Sequence, residues 1–488
     1  MAAGEAPVPR GRTDDAMRSR HIAALTALMF TAVPAHAAAQ LDGTTMSWPW
    51  ALPFIGILLS IATGPLLFSH LWHRHYGKIA AAWAAIALGA VSAGFGASAA
   101  LAALVHAVVV EYLSFIVLLF ALYTVAGGIL VTGHLPGTPL VNTTILIMGT
   151  IIASLVGTTG AAMIFIRPLL RANERREHQV HVVVFFIILV ANVGGALTPL
   201  GDPPLYVGFL RGVEFFWPLR RLWLQTAIIV ALVLATFVLL DCWMSHREAS
   251  ERAAEASDRV RVRVRGVINL ALIGLIVATI VIAGSWKPDI AFRLWGSTIE
   301  FQNLLRDVVL ILIACLSLWL TPDEHRAANG FTWEPIKEVG KLFLAIFVTI
   351  GPVLAMLDAG REGAFAWLLR LVTDADGRPR EVALFWLTGS LSAFLDNAPS
   401  YLVFFELMGG DPQTLMGPLA GSLAAISLGA VYMGALTYIG NAPNLMVYAI
   451  AEERGVKMPS FFAYLFWAAL ILVPIFVLLT FLPVSPVL

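Results

Sequence analysis

The chain has 488 residues, 59% of them hydrophobic and only 13% charged, with 31 Lys plus Arg balancing 31 Asp plus Glu. An average soluble domain carries about a quarter charged residues, so this composition excludes an ordinary soluble enzyme, and the absent charge excess excludes a nucleic-acid binder. What remains is an all-α polytopic protein of the lipid bilayer. Its two cysteines, Cys242 and Cys315, fit no metal or disulfide spacing.

In chain order, residues 1–40 read as a signal peptide or a first transmembrane helix. Arg18, Arg20 and His21 precede the apolar run from Ile22 to Val33, and Ala35-His36-Ala37 fits a cleavage site. Both readings place residue 45 outside. Residues 45–243 form a first repeat, built from apolar stretches of about 20 residues. Spans are expected at 50–69 (inward), 79–104 (outward) and 112–133 (inward). At 141–170 two apolar arms of roughly 12 to 16 residues flank Gly157-Thr158-Thr159-Gly160, too short to cross comfortably, which predicts a re-entrant hairpin entering from the cytoplasm. Residues 180–210 cross outward through a break and 222–241 return. A cytoplasmic linker, 244–266, ends in an Arg-Val alternation from Arg259 to Arg265, expected as a retention signal touching anionic lipid.

Residues 267–488 repeat this order with inverted sense. Spans fall at 267–284, 307–321 and 341–358, then a hairpin entering from outside at 382–409, a broken crossing at 415–451, and a last span at 461–483. The total is 10–11 transmembrane helices. This topology leaves 21 of the 31 Lys and Arg residues inside, as the positive-inside rule requires, and predicts a multi-pass protein of the cell inner (cytoplasmic) membrane.

The strongest signal is a duplicated interruption. Residues 195–204 read G-A-L-T-P-L-G-D-P-P and residues 434–443 read G-A-L-T-Y-I-G-N-A-P, six of ten identical at an offset of 239. Gly194, Gly195, Gly201, Pro203 and Pro204 in the first copy, and Gly434, Gly440 and Pro443 in the second, disfavour a continuous helix. Broken backbone at membrane depth is tolerated where it is buried in protein or lines a cavity, and a matched pair marks a transporter's binding site. The same offset lays Gly157-Thr158-Thr159 on Asp396-Asn397-Ala398, hairpin tip on hairpin tip.

A carboxylate in hydrocarbon must pair, bind a cation or hold a proton. Asp396 in the second hairpin and Asp202 in the first break are under that constraint, Asp396 expected as the shared cation and proton site and Asp202 as the second. Thr158, Thr159, Asn192, Thr198, Asn397, Thr437, Asn441 and Asn444 add the oxygen ligands that a hard cation such as sodium prefers. A plainer role competes at both acids, since Asp before a helix start is a common N-cap. His70, His73 and His75 read as an interfacial anchor. No catalytic triad, phosphate loop or nucleotide site is visible, so neither an enzyme nor an ATP-driven pump is expected, and no cofactor beyond coupling sodium ions and protons.

The strings A-N-V-G-G-A-L-T-P-L-G-D-P-P at 191–204, L-S-A-F-L-D-N-A-P at 391–399 and G-A-L-T-Y-I-G-N-A-P-N at 434–444 resemble the ion transporter superfamily over roughly residues 45–485. Within it, they are most similar to NhaD-type sodium/proton antiporters and citrate-transporter-like proteins. The resemblance implies a secondary transporter working by alternating access, as a homodimer, on small ions or a small anionic substrate. Arsenite efflux permeases and citrate or other organic-anion carriers share this scaffold and remain alternatives. One departure stands out: Gly157-Thr158-Thr159-Gly160 occupies the place where such antiporters usually carry an Asp-Asn pair.

Overall fold

The computed structural model of the protein describes residues 41–252 and 261–481. The expectations for residues 1–40, and for Arg259 at the head of the Arg-Val run, lie outside the described residues. Within them the chain is helical, with only two short antiparallel ribbons. Nine helices are long and apolar enough to cross a membrane, and three shorter apolar helices accompany them, counted among the described residues. The chain is therefore an all-α polytopic membrane protein.

Helix α1 (Leu52–Leu67) is followed after Phe68 by α2 (Ser69–Phe95). The expected second span, 79–104, needs correction: α2 begins at Ser69 and stops at Gly96, whose φ of 93° is open to glycine and closed to most other residues. The next helix, α3 (Ala97–Ala126), then runs without a loop, so the expected span at 112–133 also begins too late. Polar His106 and Glu111, between the two expected spans, lie within α3, in a π-helical stretch from His106 to Tyr112. Widened turns of this kind are rare and concentrate at functional sites. The end of the expected span is strand β1 (Leu130–His134).

Two helical hairpins and two broken helices follow the duplication. Helices α4 (Pro139–Val156) and α5 (Thr158–Asn173) fold back at Gly157. At 18 residues the first arm is longer than the expected 12 to 16, and the second, at 16, reaches the upper end of that range. Helix α6 (Val180–Leu189) gives way to a 3-10 turn at Val193–Gly195 and resumes as α7 (Pro203–Leu210), with prolines in its first turn. Helix α8 (Trp217–Arg252) reaches well into the expected linker. Strand β2 (Arg261–Arg265) pairs with β1, Leu130 opposite Arg265. The described part of the Arg-Val run, Arg261–Arg265, is thus a paired strand, which its period of two also encodes.

The second half contains α9 (Ile268–Ser285), the ribbon β3 (Ala291–Leu294) and β4 (Ser297–Glu300), α10 (Phe301–Leu320), the short α11 (Asp323–Ala328), α12 (Glu334–Asp358) and the short α13 (Ala366–Val372). A second hairpin, α14 (Glu381–Leu395) and α15 (Asn397–Leu407), turns at Asp396. After the short α16 (Pro412–Met416), helix α17 (Ala420–Met433) ends in a 3-10 turn at Gly434–Leu436, and α18 (Ala442–Glu453) and α19 (Phe461–Phe481) complete the fold.

The hairpins, the broken helices, α8 and α19 pack into one core layer. Helices α1–α3, α9, α10 and α12 pack on one another beside it and meet it where α12 touches α15 and α3 touches α5. Every residue of α17, and every residue of α6 from His181 to Leu189, is buried. That explains helices that are apolar all round. The two halves repeat the same pins: Thr198 Oγ1 donates to the Ser154 carbonyl, and Thr437 Oγ1, at the offset of 239, donates to the Ala393 carbonyl at 2.5 Å.

Candidate functional site

Four helices begin at one place: α5 at Thr158, α7 at Pro203, α15 at Asn397 and α18 at Ala442. The Asp202 carboxylate lies among these starts, 1% exposed. Three neutral side chains from the three other irregular segments donate to it. Thr158 Oγ1 reaches Oδ1 at 3.1 Å, Asn441 Nδ2 reaches Oδ1 at 3.0 Å, and Asn397 Nδ2 reaches Oδ2 at 2.5 Å. The groups acting on Asp202 include no cationic side chain. Although Asp202 occupies the N-cap position of α7, its side chain makes no capping bond; the plain capping role is overturned there.

Asp396 is different. It turns the second hairpin at φ 92° and ψ 143°, matching Gly157 at φ 83° and ψ 151° in the first. Its Oδ1 accepts from the Ala398 amide at 3.4 Å, so here the capping geometry is present. Beside it, Asn397 is fully buried, and its Oδ1 has no hydrogen-bond partner within the protein. An orphaned buried acceptor is costly and marks a place where a donor or a cation fits.

The remaining candidates divide into those that frame the site and those that pin it. Thr159 lines a cavity with Thr158 and Asp202. Asn192 Nδ2 donates to Asn444 Oδ1 at 2.7 Å, while Asn444 Nδ2 donates to the Gly434 and Thr437 carbonyls. Asn192, Asn444, Thr198 and Thr437 therefore fix the shape of the two breaks. Gly194 abuts the backbone of Thr150, and Gly434 lies beside Asn192. Gly201 has no room for a Cβ, which would overlap the Gly195 carbonyl, and at Gly440 a Cβ would lie 2.9 Å from the Ala393 carbonyl. Pro203, Pro204 and Pro443 start α7 and α18, where a missing amide hydrogen costs nothing.

The cavity, about 70 Å³, runs from this cluster to the second layer, where Leu118, Leu122 and Tyr123 of α3 and Pro335, Ile336 and Val339 of α12 line it. Two charged clusters escaped the sequence reading. At the base of the first hairpin, buried Asp241 accepts from Asn142 Nδ2 at 2.9 Å, contacts His181 Nε2 at 2.8 Å and pairs with Arg176. Elsewhere, Arg211 at the end of α7 bridges Glu406 of α15 and Glu111 of α3. An ionisable residue inside an apolar run, such as His181, was the available signal.

A polytopic fold with paired irregular segments meeting at a buried carboxylate defines a multi-pass membrane transporter. Residues 43–484 match the family described as "Putative citrate transport", and the chain belongs to this citrate-transporter-like family. It is also 23% identical over 297 residues to an uncharacterized transporter of Synechocystis sp., covering 56% of this chain and 61% of that relative's length. Uncharacterized transporters of Mycobacterium bovis and Mycobacterium tuberculosis are each 23% identical over 339 residues, 66% of this chain and 72% of theirs.

Proposed function

We propose that this transporter exchanges sodium or lithium ions for protons by alternating access in the cytoplasmic membrane, with Asp202 as the shared cation and proton site and Asn397 as its neighbour. The supporting observation is the Asp202 carboxylate, held only by neutral donors, next to the unpartnered Asn397 Oδ1. A carboxylate without a cationic partner inside a membrane protein needs a counter-charge, and a metal cation or a proton supplies it. Bound cation and bound proton then exclude each other. In this reading the two helical hairpins are re-entrant from opposite faces, and the core layer moves against the layer of α1–α3, α9, α10 and α12.

A second reading, carriage of citrate or another organic anion, draws on the family's description and on four helix starts at one place, whose dipoles favour an anion. Asp202 already occupies that position, so an anion there would face a fixed like charge. The deciding experiment measures internal pH in inverted vesicles while sodium, lithium, potassium or citrate is added. Proton movement on sodium or lithium, absent in Asp202→Asn, supports the exchanger. Coupled citrate uptake without any cation response overturns it in favour of the anion carrier.

A further inference from the structure

One guanidinium in this molecule holds two bodies together. Arg211, where α7 ends, contacts Glu406, where α15 ends, so both belong to the core layer. Its other branch, Nη2, lies 2.6 Å from Glu111 Oε1, on the π-helical stretch of α3 in the second layer. The three side chains are only 25%, 11% and 12% exposed, in that order. Partial burial strengthens such a bridge over a surface pair.

Sidedness follows from the charge bias of the loops. By that reading α3 enters from outside at Ala97, α7 ends outside, and the second hairpin opens outside, so all three charges lie toward the outer face. The cavity beside Asp202 is lined instead by Tyr123, late in α3, and by Pro335 and Ile336, early in α12, both toward the inner face. There the layers are tied by guanidinium groups on neutral carbonyls and not by an ion pair, Arg171 Nη2 donating to the Val131 carbonyl at 2.9 Å and Arg167 Nη2 meeting the Gly330 carbonyl at 3.4 Å. An ion pair on the outer side and a cavity on the inner side are what a form closed toward the outside would have.

We infer that Glu111 and Arg211 form an outer latch, whose rupture permits the core to move and expose the Asp202 site to the outside. The inference rests on the alternating-access reading above, but not on the identity of the transported ion. A π-helical turn suits this role, because it projects Glu111 from a helix that otherwise stays regular.

The test is labelling from each side. In a background of Cys242→Ser and Cys315→Ser, a reporter Thr159→Cys, and separately Ala442→Cys, is treated with a membrane-impermeant maleimide in right-side-out and in inverted vesicles. Glu111→Gln should raise outside labelling roughly fivefold, the population change that about 1 kcal/mol produces, and lower inside labelling. Glu111→Asp, which keeps the charge, should stay near the parent. Unchanged labelling in Glu111→Gln, or equal effects of Glu111→Asp and Glu111→Gln, overturns the latch. If labelling shifts while vesicles show no sodium-driven proton movement, the latch stands and the ion assignment falls.

Discussion

Replacing Asp202 by asparagine and by alanine separates its charge from its shape. Three donors converge on its carboxylate: Thr158 at 3.1 Å, Asn441 at 3.0 Å and Asn397 at 2.5 Å. Alanine strands all three in a buried site. An unsatisfied buried donor costs about 1–3 kcal/mol, so Asp202→Ala should lose about 3 kcal/mol or more. Asparagine keeps one oxygen and turns the other into a donor facing Asn397. Asn397 has an unpartnered Oδ1 to answer with, by rotating its amide. Asp202→Asn should therefore change stability by no more than about 1 kcal/mol, and removal of an uncompensated buried charge can make it stabilising. Thermal unfolding in detergent, with and without sodium, reads both effects: the parent should gain stability with sodium and the asparagine variant should not. A sodium-dependent shift that persists in Asp202→Asn, or equal destabilisation by both substitutions, would refute the reasoning.

If sodium and a proton compete for one carboxylate, sodium affinity measured by calorimetry should be constant at high pH. It should then weaken by about tenfold per unit once the carboxyl begins to protonate, by linkage; an affinity independent of pH counts against a shared site. Gly201→Ala should abolish folded, monodisperse protein, because its Cβ would overlap the Gly195 carbonyl, whereas Gly89→Ala, with nothing within 4 Å, should be silent by size-exclusion chromatography. Asp241→Asn should cost about 3 kcal/mol in thermal unfolding, since it leaves Arg176 and His181 without their shared anion. Asp396→Gly should fold as well as the parent, since Gly157 adopts the same turn in the first hairpin. Vesicle exchange assays then show whether the Asp396 carboxylate serves only the turn: normal exchange confines it to capping, and lost exchange gives it a place in the ion path.

The breaks were legible because glycine and proline cluster there within apolar sequence, and the offset of 239 tied break to break and tip to tip. The boundary between α2 and α3 was not. Gly96 lies in an alanine- and glycine-rich stretch that carries no charged residue from Ile79 to Val105, so nothing local marks the helix end there. Strand β1 was hidden for another reason: its partner β2 lies more than a hundred residues away, and pairing of that range leaves no local mark. The same limit applied within the site. Spacing placed Asp202 and Asn397 at two irregular segments, but only the fold brings them, 195 residues apart, into one hydrogen bond. It also showed that Asp202 faces its neighbours and does not cap its helix, the opposite of Asp396.

The duplication has kept its geometry and divided its charges. At the hairpin tips, Gly157 and Asp396 share one backbone conformation, and only the second carries a carboxylate. At the breaks, Asp202 and Asn441 share another, with φ of −145° and −154°, and only the first is charged. Symmetric acids at the break would put two carboxylates where Asn441 Nδ2 now lies 3.0 Å from Asp202 Oδ1, a like-charge contact that a low-dielectric interior punishes. The amide in place of the second acid turns that repulsion into a hydrogen bond while preserving the paired shape of the two halves. Donors from the second half thus hold the acid of the first. Because Asp202, Asn397 and Asn441 all belong to the core layer, a movement of that layer carries these bonds with it, and a cation or proton on the carboxylate travels inside an unbroken set of donors.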